Sequence, residues 1–257
     1  MKSAPIKVTI ITVVYNAETS IAKTINSVVN QTVHPYEYLV IDGKSNDGTL
    51  AIVESYRDKI EKQQVALRII SENDFGIYDA MNKGAKLAQG EYILFLNSDD
   101  WLEPNAIQTF YDAYIITPFD LAYGSIRYMG KDRNILIKKS RLDTFVSSRN
   151  WNHPSSLVRK ELYTENPFDL SYRVYADFHW FLKLRRRKNV RICILPPQKV
   201  ISNFAVGGAS INKDVSASLA RAKEKYQAYR SNGYSRIYWL EAYGWEVMKF
   251  LFALRFS

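Results

Sequence analysis

The 257-residue chain has almost no cysteine and no long hydrophobic segment. Its single cysteine, Cys193, lies in the apolar stretch VRICIL, so no disulfide can form within the chain and a reducing compartment is expected. There is no run of about 18 uncharged apolar residues, so no membrane-spanning helix is predicted. The N-terminal MKSAPIKVTIITVVYN also lacks the features of a signal peptide. We therefore expect a cytoplasmic protein in which Cys193 is a small core residue.

Common nucleotide- and nucleic-acid-binding signatures are absent as well. The turn YNAETS, after the first apolar run, contains no G-x-G-x-x-G motif, and no G-x-x-x-x-G-K-[ST] phosphate loop occurs. No zinc-binding spacing, RNA-binding signature or helix-turn-helix pattern is evident. These absences argue against a dinucleotide site, a P-loop and a nucleic-acid partner.

Charge is divided unevenly along the chain, whose net charge is +9. Residues 1–100 contain 10 Lys or Arg and 13 Asp or Glu, for a net −3, whereas the remaining 157 residues contain 25 and 13, for +12. An acidic front half suggests a metal or sugar site, and a basic back half suggests an anionic partner such as phosphate or a membrane surface. A solvated basic surface without a partner accounts for the charge equally well.

Apolar runs alternate with helical patterns over the first hundred residues. Continuous apolar and β-branched runs predict buried strands at 7–16, 37–43, 65–74 and 91–97. Amphipathic helices are predicted between them, over 17–32, 47–62 and 76–90. This alternation, with short connections, predicts an α/β fold with a mostly parallel central sheet, right-handed crossovers and flanking helices.

Polar residues follow every strand of this predicted sheet. They are Asn16, Asp42, Asn73 with Asp74, and the run Asn97-Ser98-Asp99-Asp100. Because ligands of open parallel sheets bind beyond the carboxyl ends of the strands, these residues predict one site at one edge. Carboxylate and amide oxygens suit Mg²⁺ or Mn²⁺, and Mg²⁺ is usually held by one or two carboxylates together with substrate phosphates. The alternative is that Asp99 or Asp100 caps a helix that begins near Pro104.

Four segments resemble the family 2 glycosyltransferases, inverting enzymes with the GT-A fold that use nucleotide-diphosphate sugars. They are ITVVYNAETSIAKTINSVVNQT, YLVIDGKSNDGT, NDFGIYDAMNKGAKLAQGEYILFLNSDDWL and VYADFHWFLKL. The similarity extends over roughly residues 6–207, and it is greatest to bacterial enzymes of surface-polysaccharide synthesis. The resemblance implies a GT-A-like fold and a metal-dependent, hexosyltransferase-like inverting glycosyltransferase.

The resemblance also implies roles for individual residues. Asp42 and Asp74 match acidic contacts to the nucleotide base, and Asp99 matches the metal-binding second aspartate of a D-x-D element. Asp177 matches the general base. Further donor contacts are implied for Thr12, Tyr15, Asn16, Asn82, Asn97 and Ser98, and acceptor-side contacts for Asp100, His153, His179 and Trp180. Each of three residues also has a structural alternative. Asp42 lies in a Gly-containing turn, where Asp commonly supports local backbone hydrogen bonds. Asp177 begins a helix, where the helix dipole favours a carboxylate, and His153 is open to a purely structural role.

The chain departs from the family pattern at three positions. Asn97 stands where many members have the first aspartate of D-x-D, and its neutral oxygen can still bind a ribose hydroxyl or a cation. The motif IDGKS has one acid where DDGS is common, and Ala176 stands where a glutamate often precedes the catalytic aspartate. None of these differences removes an essential carboxylate.

The activity implied is transfer of a sugar from a nucleotide-diphosphate sugar, with UDP as the expected carrier, to a saccharide or polyprenyl-linked acceptor. Mn²⁺ or Mg²⁺ is the expected cofactor. Two other classes stay open: a non-catalytic nucleotide- or polyanion-binding module, and a nucleotidyltransferase. The second is expected to carry a Gly/Arg/Lys-rich phosphate loop near the N-terminus, and TVVYNAETSIAK is not such a loop.

The predicted domains are a glycosyltransferase domain over 1–210 and a helical extension over 211–257. The first divides into a nucleotide-binding part, 1–116, and an acceptor-side part, 117–210. Within the latter, FAVGGAS (204–210) predicts either a mobile flap over the donor or a plain turn.

The C-terminal segment 235–257 is rich in Tyr, Trp, Phe and Leu around a few charges. This composition favours a helix lying in the interface at the inner face of the cell membrane, where a polyprenyl-linked acceptor would be found. Covering the sheet, or pairing with another subunit in an oligomer, is the alternative.

Overall fold

The computed structural model describes residues 6–130, 135–143, 145–205 and 215–255. Two compact units make up the chain. The sheet unit comprises Met1–Pro167 with Val190–Ala205, and the helical unit comprises Phe168–Asn189 with Val206–Ser257. The helical unit thus takes in residues 168–189, which the predicted boundary at 210 assigned to the acceptor-side part.

The sheet unit contains all strands that the structure describes. They are β1 (Val8–Val14), β2 (Glu37–Asp42), β3 (Ala66–Ser71), β4 (Tyr92–Phe95), β5 (Trp101–Leu102), β6 (Leu121–Tyr123), β7 (Ser125–Met129), β8 (Ile135–Lys138), β9 (Ser156–Arg159), β10 (Ile192–Ile194) and β11 (Val200–Ala205). Its helices are α1 (Ile21–Val29), α2 (Thr49–Ser55), α3 (Arg57–Glu61), α4 (Ile77–Leu87), α5 (Ala106–Ile116) and α6 (Lys160–Thr164). A 3₁₀ turn spans His153–Ser155.

Seven strands form the main sheet in the order β10-β6-β9-β4-β1-β2-β3. Strands β4, β1, β2 and β3 are parallel neighbours, so the predicted parallel sheet with all four exits at one edge is confirmed. Every residue of β1 and β2 is buried, as expected for strands covered on both faces. Strand β9 runs antiparallel between β4 and β6, which makes the sheet mixed but mostly parallel.

A second sheet, in the order β5-β11-β7-β8, was not predicted. Its strand β5 follows Asp99 and Asp100 directly and pairs antiparallel with β11. The register places Leu102 opposite Ser202 and Trp101 opposite Asn203. The residues after β4 are therefore held by a strand about a hundred positions later in the chain.

The helices of the sheet unit cover the sheet with apolar residues at helical spacing. Helix α1 buries Ile21, Ile25, Val28 and Val29. The single helix predicted over 47–62 is two helices, α2 and α3, because Tyr56 both ends the first and precedes the second. Helix α4 packs closely on the sheet at Gly84: a Cβ on this residue would lie 2.8 Å from a side-chain carbon of Ile11.

The helical unit consists of α7 (Ala176–Arg185), α8 (Val215–Ser231) and α9 (Trp239–Arg255), with a 3₁₀ turn at Arg236–Tyr238. The predicted helical C-terminal extension is thereby confirmed. Its aromatic core centres on Tyr229, whose ring centroid lies 5.3 Å from that of Phe178 and 4.4 Å from that of Tyr238. Among the described helices of the chain, none has both the length and the apolar character needed to cross a bilayer. Residues 206–210 of the predicted flap, 204–210, lie outside the described part of the chain.

Candidate functional site

The loops after β1 and β2 are joined by hydrogen bonds at the carboxyl edge of the main sheet. The backbone N–H of Asn16 donates to Oγ of Ser45 at 2.9 Å, and the N–H of Asn46 donates back to Oδ1 of Asn16 at 2.9 Å. Asn16 has a φ of 48°, a left-handed conformation that Asn tolerates better than most residues. Asn16, which is predicted to contact the nucleotide-sugar donor, thus holds the loops after β1 and β2 against each other.

Asp42, at the end of β2, is fully buried and its carboxylate is held from two sides. Ser45 donates through its backbone N–H, at 3.2 Å to Oδ1 and 3.1 Å to Oδ2, and through its hydroxyl, at 2.5 Å to Oδ1. Ser71, at the end of β3, donates its hydroxyl to Oδ2 at 2.6 Å. The bonds from Ser45 are the local turn contacts considered from the sequence, whereas the bond from Ser71 joins two neighbouring strand exits. The orientation of Asp42 is therefore fixed before any ligand binds.

A cradle lies beside this carboxylate, between Gly43, Asp74 and Tyr15. A Cβ built on Gly43 would lie 2.5 Å from Oδ2 of Asp74 and 3.5 Å from Cδ2 of Tyr15. Oδ1 of Asp74 accepts from the N–H of Gly76 at 2.8 Å, and Tyr15 is 63% exposed. The exposed ring of Tyr15 can stack on a flat heterocycle, and the fixed carboxylate of Asp74 can accept a hydrogen bond from the edge of that heterocycle. Only glycine at position 43 leaves room for this approach.

The exit of β4 carries the acidic pair of the NSDD motif. Asp100 is fully buried, and its Oδ1 accepts from the N–H of Ala205 in β11 at 3.2 Å. Burial raises the pKa of Asp99, and burial together with the charge of Asp99 raises the pKa of Asp100 well above its usual range. Neither carboxylate forms an ion pair with any residue that the structure describes. Two neighbouring acids without a cation favour the binding of one.

The amide of Asn97 supports the same conclusion. Its Oδ1 is buried without a hydrogen-bond partner, while its Nδ2 lies 3.5 Å from Oδ2 of Asp100. A buried oxygen without a donor is costly unless a ligand or ion satisfies it. Within the described residues, no group of three or more His, Cys, Asp or Glu could hold a metal alone. The oxygens of this exit therefore fit a divalent cation that shares its coordination with substrate oxygens, as Mg²⁺ commonly does.

The other residues of the sheet unit that are predicted to contact the nucleotide-sugar donor differ in their exposure to solvent. Thr12, in β1, is fully buried, and its hydroxyl oxygen accepts from the Tyr38 hydroxyl at 3.0 Å. Asn82 is half-buried on α4, and Ser98 is half-buried between Asn97 and Asp99. Donor contacts by the side chains of these three residues stay predictions.

His153 belongs to a buried aromatic cluster of the sheet unit. It is 7% exposed, its ring lies 5.5 Å from Phe95 and 5.9 Å from Trp151, and its Nε2 lies 3.3 Å from the Tyr163 hydroxyl. This environment agrees with the structural alternative raised for His153. Its contact with an acceptor stays a prediction, as does that of the fully buried Asp100.

The remaining predicted residues lie on α7 of the helical unit. Asp177 is half-buried in the first turn of the helix. His179 stacks on Tyr172 with ring centroids 4.5 Å apart, and burial lowers its pKa. Trp180 is buried, with its ring 6.0 Å from that of Phe168. The base and acceptor roles of this helix stay predictions.

Three residues of the strand exits were not identified from the sequence: Gly43, Ser45 and Ser71. The Asp-Gly pair at 42–43 was a signal for Gly43, because glycine after a strand commonly permits a close approach of the backbone. Nothing in the sequence distinguishes Ser71 from other serines, since its partner is 29 residues away.

The sheet order defines the class of protein as a GT-A-like α/β fold, and solved structures agree. S. aureus TarS 1–349 in complex with UDP-GlcNAc matches with a TM-score of 0.68 and 21% identity, over 95% of this chain and 72% of TarS. The mannosyltransferase PcManGT from Pyrobaculum calidifontis, in complex with GDP-Man and Mn²⁺, matches with a TM-score of 0.65 and 18% identity, over 98% and 75% of the two chains. At these identities the matches establish the fold alone.

Sequence comparison identifies the family. The model of glycosyl transferase family 2 matches residues 9–190. The PGL/p-HBAD biosynthesis glycosyltransferase of Mycobacterium tuberculosis is 32% identical over 193 residues, which cover 74% of this chain and 70% of that protein. The chain therefore belongs to glycosyl transferase family 2, and the predicted resemblance is confirmed.

Proposed function

We propose that the protein transfers a sugar, with inversion, from a nucleotide-diphosphate sugar to a saccharide or lipid-linked saccharide in cell-surface polysaccharide synthesis. The observation that carries the donor assignment is the cradle of Gly43, Asp74 and Tyr15, at the same sheet edge as Asp99. The cradle suits a nucleobase, and the acidic exit suits a metal-bound diphosphate. UDP is the first carrier to test, since UDP-GlcNAc is bound by TarS.

The residues of the strand exits would hold the donor in one orientation before the reaction. Asn16, Asp42 and Asp74 would bind the nucleoside, with Asn97 and Ser98 near the ribose and diphosphate. Fixing the donor in this way removes much of the entropic cost of bringing the reactants together.

Asp99, with the neighbouring Asn97, would hold Mn²⁺ or Mg²⁺. When bound, the metal would neutralise negative charge on the departing diphosphate. PcManGT, bound to GDP-Man and Mn²⁺, supports testing Mn²⁺ first.

In the proposed reaction, Asp177 acts as the general base. Its carboxylate takes the proton of an acceptor hydroxyl while that oxygen bonds to the anomeric carbon. The bond from the anomeric carbon to the diphosphate oxygen breaks, and its electron pair leaves with the nucleoside diphosphate. Attack opposite the leaving group inverts the anomeric configuration. This role is supported by the motif YADFHWFLKL within the matched family region.

Nucleoside diphosphate release from a panel of UDP-, GDP- and dTDP-sugars, with saccharide acceptors and Mn²⁺, tests the proposal. We expect turnover with at least one donor and a loss of about 10²- to 10⁴-fold in Asp177→Asn, because that variant cannot accept the proton. Its binding of UDP, measured by calorimetry, should be unchanged. Asp169→Asn, which changes an exposed acid of the same unit, is the matched control and should keep full activity.

The possible results separate the alternative classes. Release of pyrophosphate would favour a nucleotidyltransferase, and nucleotide binding without turnover on any donor would favour a binding module. Full turnover by Asp177→Asn would assign the base to another residue.

We further propose that α9 contacts an anionic membrane surface. Leu240, Val247 and Met248 lie on one side of this helix at helical spacing, and each is more than half exposed. Apolar side chains on one face favour binding in the interface of a bilayer, and the exposed Arg236, in the turn before the helix, would favour an anionic surface. Such contact would bring the enzyme to a polyprenyl-linked acceptor.

Sedimentation with vesicles of phosphatidylcholine, with and without phosphatidylglycerol, tests this contact. We expect salt-sensitive binding to the anionic vesicles that Leu240→Glu/Val247→Glu abolishes. Ile115→Glu/Ile116→Glu is the matched control, because these residues form an even more exposed apolar pair at the end of α5. A change in oligomeric state without any change in vesicle binding would instead identify a second copy of the chain as the partner.

A further inference from the structure

The start of α7 is held by a carboxylate from another helix. The backbone N–H groups of Val174 and Tyr175 both donate to Oε1 of Glu224 on α8, at 2.7 and 2.6 Å. Tyr175 is the N-cap residue of α7, and its own side chain makes no capping hydrogen bond. Its N–H is one of the groups that helix geometry leaves without an intrahelical partner. Glu224 thus takes over the function of a capping side chain, and its negative charge lies near the positive end of the helix dipole.

The side chain of the same N-cap residue is held as well. The Tyr175 hydroxyl donates to Oε1 of Glu246 on α9 at 3.3 Å. Oε2 of Glu246 accepts from Nε of Arg221 on α8 at 3.2 Å, and this ion pair is buried, at 8% and 3% side-chain exposure. The residue two positions before Asp177 is therefore fixed through both its backbone and its side chain.

Helix α8 is itself fixed next to Glu224. The adjacent residue, Lys225, forms a 3.0 Å ion pair with Glu241 of α9, and both side chains are almost completely buried. The Tyr229 hydroxyl, one turn further along α8, donates to Oε2 of the same Glu241 at 3.1 Å. A buried ion pair with additional hydrogen bonds holds its geometry strictly, because moving either charge would leave the other without compensation.

We propose that Glu224 is a positioning residue for the general base: it fixes the first turn of α7 and thereby the direction of the Asp177 carboxylate. The inference rests on the proposed function, in which Asp177 takes the acceptor proton. Proton transfer depends steeply on geometry, and a displacement of about 1 Å can cost about 10²-fold in rate. The loss of Glu224 should therefore slow the reaction step and leave donor binding unchanged.

The experiment compares Glu224→Ala and Glu224→Gln in the full-length protein. We expect the alanine variant to lower kcat by about 10- to 100-fold, with KM for the UDP-sugar and the affinity for UDP within about twofold of the wild type. The glutamine variant should recover most of kcat, because its carbonyl oxygen can accept the same two N–H groups. Lys223→Ala, at an exposed position on the same helix, is the matched control and should keep its kcat.

Three results would overturn the proposal: an unchanged kcat in Glu224→Ala, an equal loss in the glutamine variant, or a loss confined to donor KM. If the alanine variant does not fold, Glu224→Asp takes its place, since its shorter side chain cannot reach both N–H groups in the same way. An unchanged kcat in that variant would equally contradict the role. Asp177→Asn, measured in parallel, separates the two claims. Full turnover by this variant contradicts the proposed base, whereas an inactive Asp177→Asn beside a fully active Glu224→Ala contradicts only the positioning role.

Discussion

The buried acids after β4 and the buried acids of the helical unit have different partners. In the sheet unit, Asp100 is fully buried next to Asp99, and no described cation pairs with either. In the helical unit, Glu241 and Glu246 are also buried, but each has a lysine or arginine within 3.2 Å. Burying a charge is costly unless it is paired. A buried acid without a basic partner therefore indicates a ligand site, and a paired one indicates a structural role.

Asp42 represents a third situation. It is fully buried in the sheet unit, and it is compensated by hydrogen bonds from Ser45 and Ser71 instead of a basic residue. Such a carboxylate keeps a fixed orientation and does not need a cation. The sheet edge thus holds two kinds of buried acid: Asp42, compensated by hydrogen bonds, and the pair of Asp99 and Asp100, which has no basic partner among the described residues.

The largest effect should follow from breaking a paired acid. Lys225→Met leaves Glu241 buried without its cation, and we expect the free energy of unfolding to fall by about 3–5 kcal/mol. Urea denaturation of the full-length protein measures this loss. Lys223→Met, at the exposed neighbouring position, should change stability by less than about 0.5 kcal/mol.

A double replacement tests whether the loss of stability comes from the uncompensated charge of Glu241. Lys225→Met/Glu241→Leu removes both charges, and it should recover most of the lost stability, because no uncompensated charge is left. Equal stability of Lys225→Met and the wild type would mean that the buried pair is not structural.

A smaller effect is expected at the cradle. In Gly43→Ala, the new Cβ would lie 2.5 Å from Oδ2 of Asp74 and displace that carboxylate. We expect an affinity for UDP that is about tenfold weaker, which corresponds to about 1.4 kcal/mol, with little change in melting temperature. Calorimetric titration with UDP measures the affinity.

Gly244→Ala in α9 is the control for this substitution, because a Cβ there meets nothing within 4 Å. It should leave UDP binding unchanged and increase stability slightly, by the helix preference of alanine over glycine. Equal UDP affinity in Gly43→Ala and the wild type would show that the uracil base of UDP does not bind in the cradle.

The smallest expected effect is on the pH dependence of the melting temperature. The pKa of Asp100 is raised by burial and by Asp99, and hydrogen bonds from Ala205 and Asn97 offset part of that rise. A carboxyl group whose pKa is higher in the folded than in the unfolded state stabilises the fold at low pH, and this contribution is lost as the pH rises through the folded pKa. Without metal, the melting temperature should therefore contain a component that decreases from the usual carboxyl range toward neutral pH.

Asp100→Asn should remove this component, and Mn²⁺ should reduce it in the wild type by compensating the charge. Melting curves between about pH 4 and 8, with and without MnCl₂, measure both changes. The same pH dependence in Asp100→Asn and the wild type would show that Asp100 does not titrate in this range.

Local patterns were sufficient for the first four strands and most of the early helices, because each is a continuous run whose period shows directly which residues are buried. The strand ends were predicted too long, at 7–16 against Val8–Val14 and at 65–74 against Ala66–Ser71. In both cases the polar residues after the strand turn away to form the exit loops. The other strands of the main sheet, β6, β9 and β10, were not predicted, since segments of three or four residues carry too little periodic signal.

The candidate site was predictable to the extent that it depends on order along the chain. Asp42, Asp74 and Asp99 follow parallel strands, so their common edge could be inferred. The burial of Asp100 and His153 could not be inferred, because it depends on contacts with Ala205 and Tyr163 in other elements. The grouping of α7 with α8 and α9 depends in the same way on partners such as Glu224.

The sequence by itself determined the parallel core and the row of acids at its edge, because both follow from the local alternation of apolar runs and polar exits. Only the tertiary structure decided which acids are compensated. The donors to Asp42, Asp100 and Glu224 include groups 29, 105 and 50 residues away. Hydrogen bonds and ion pairs depend on distance in space, and distance in space is set only when the whole chain has folded.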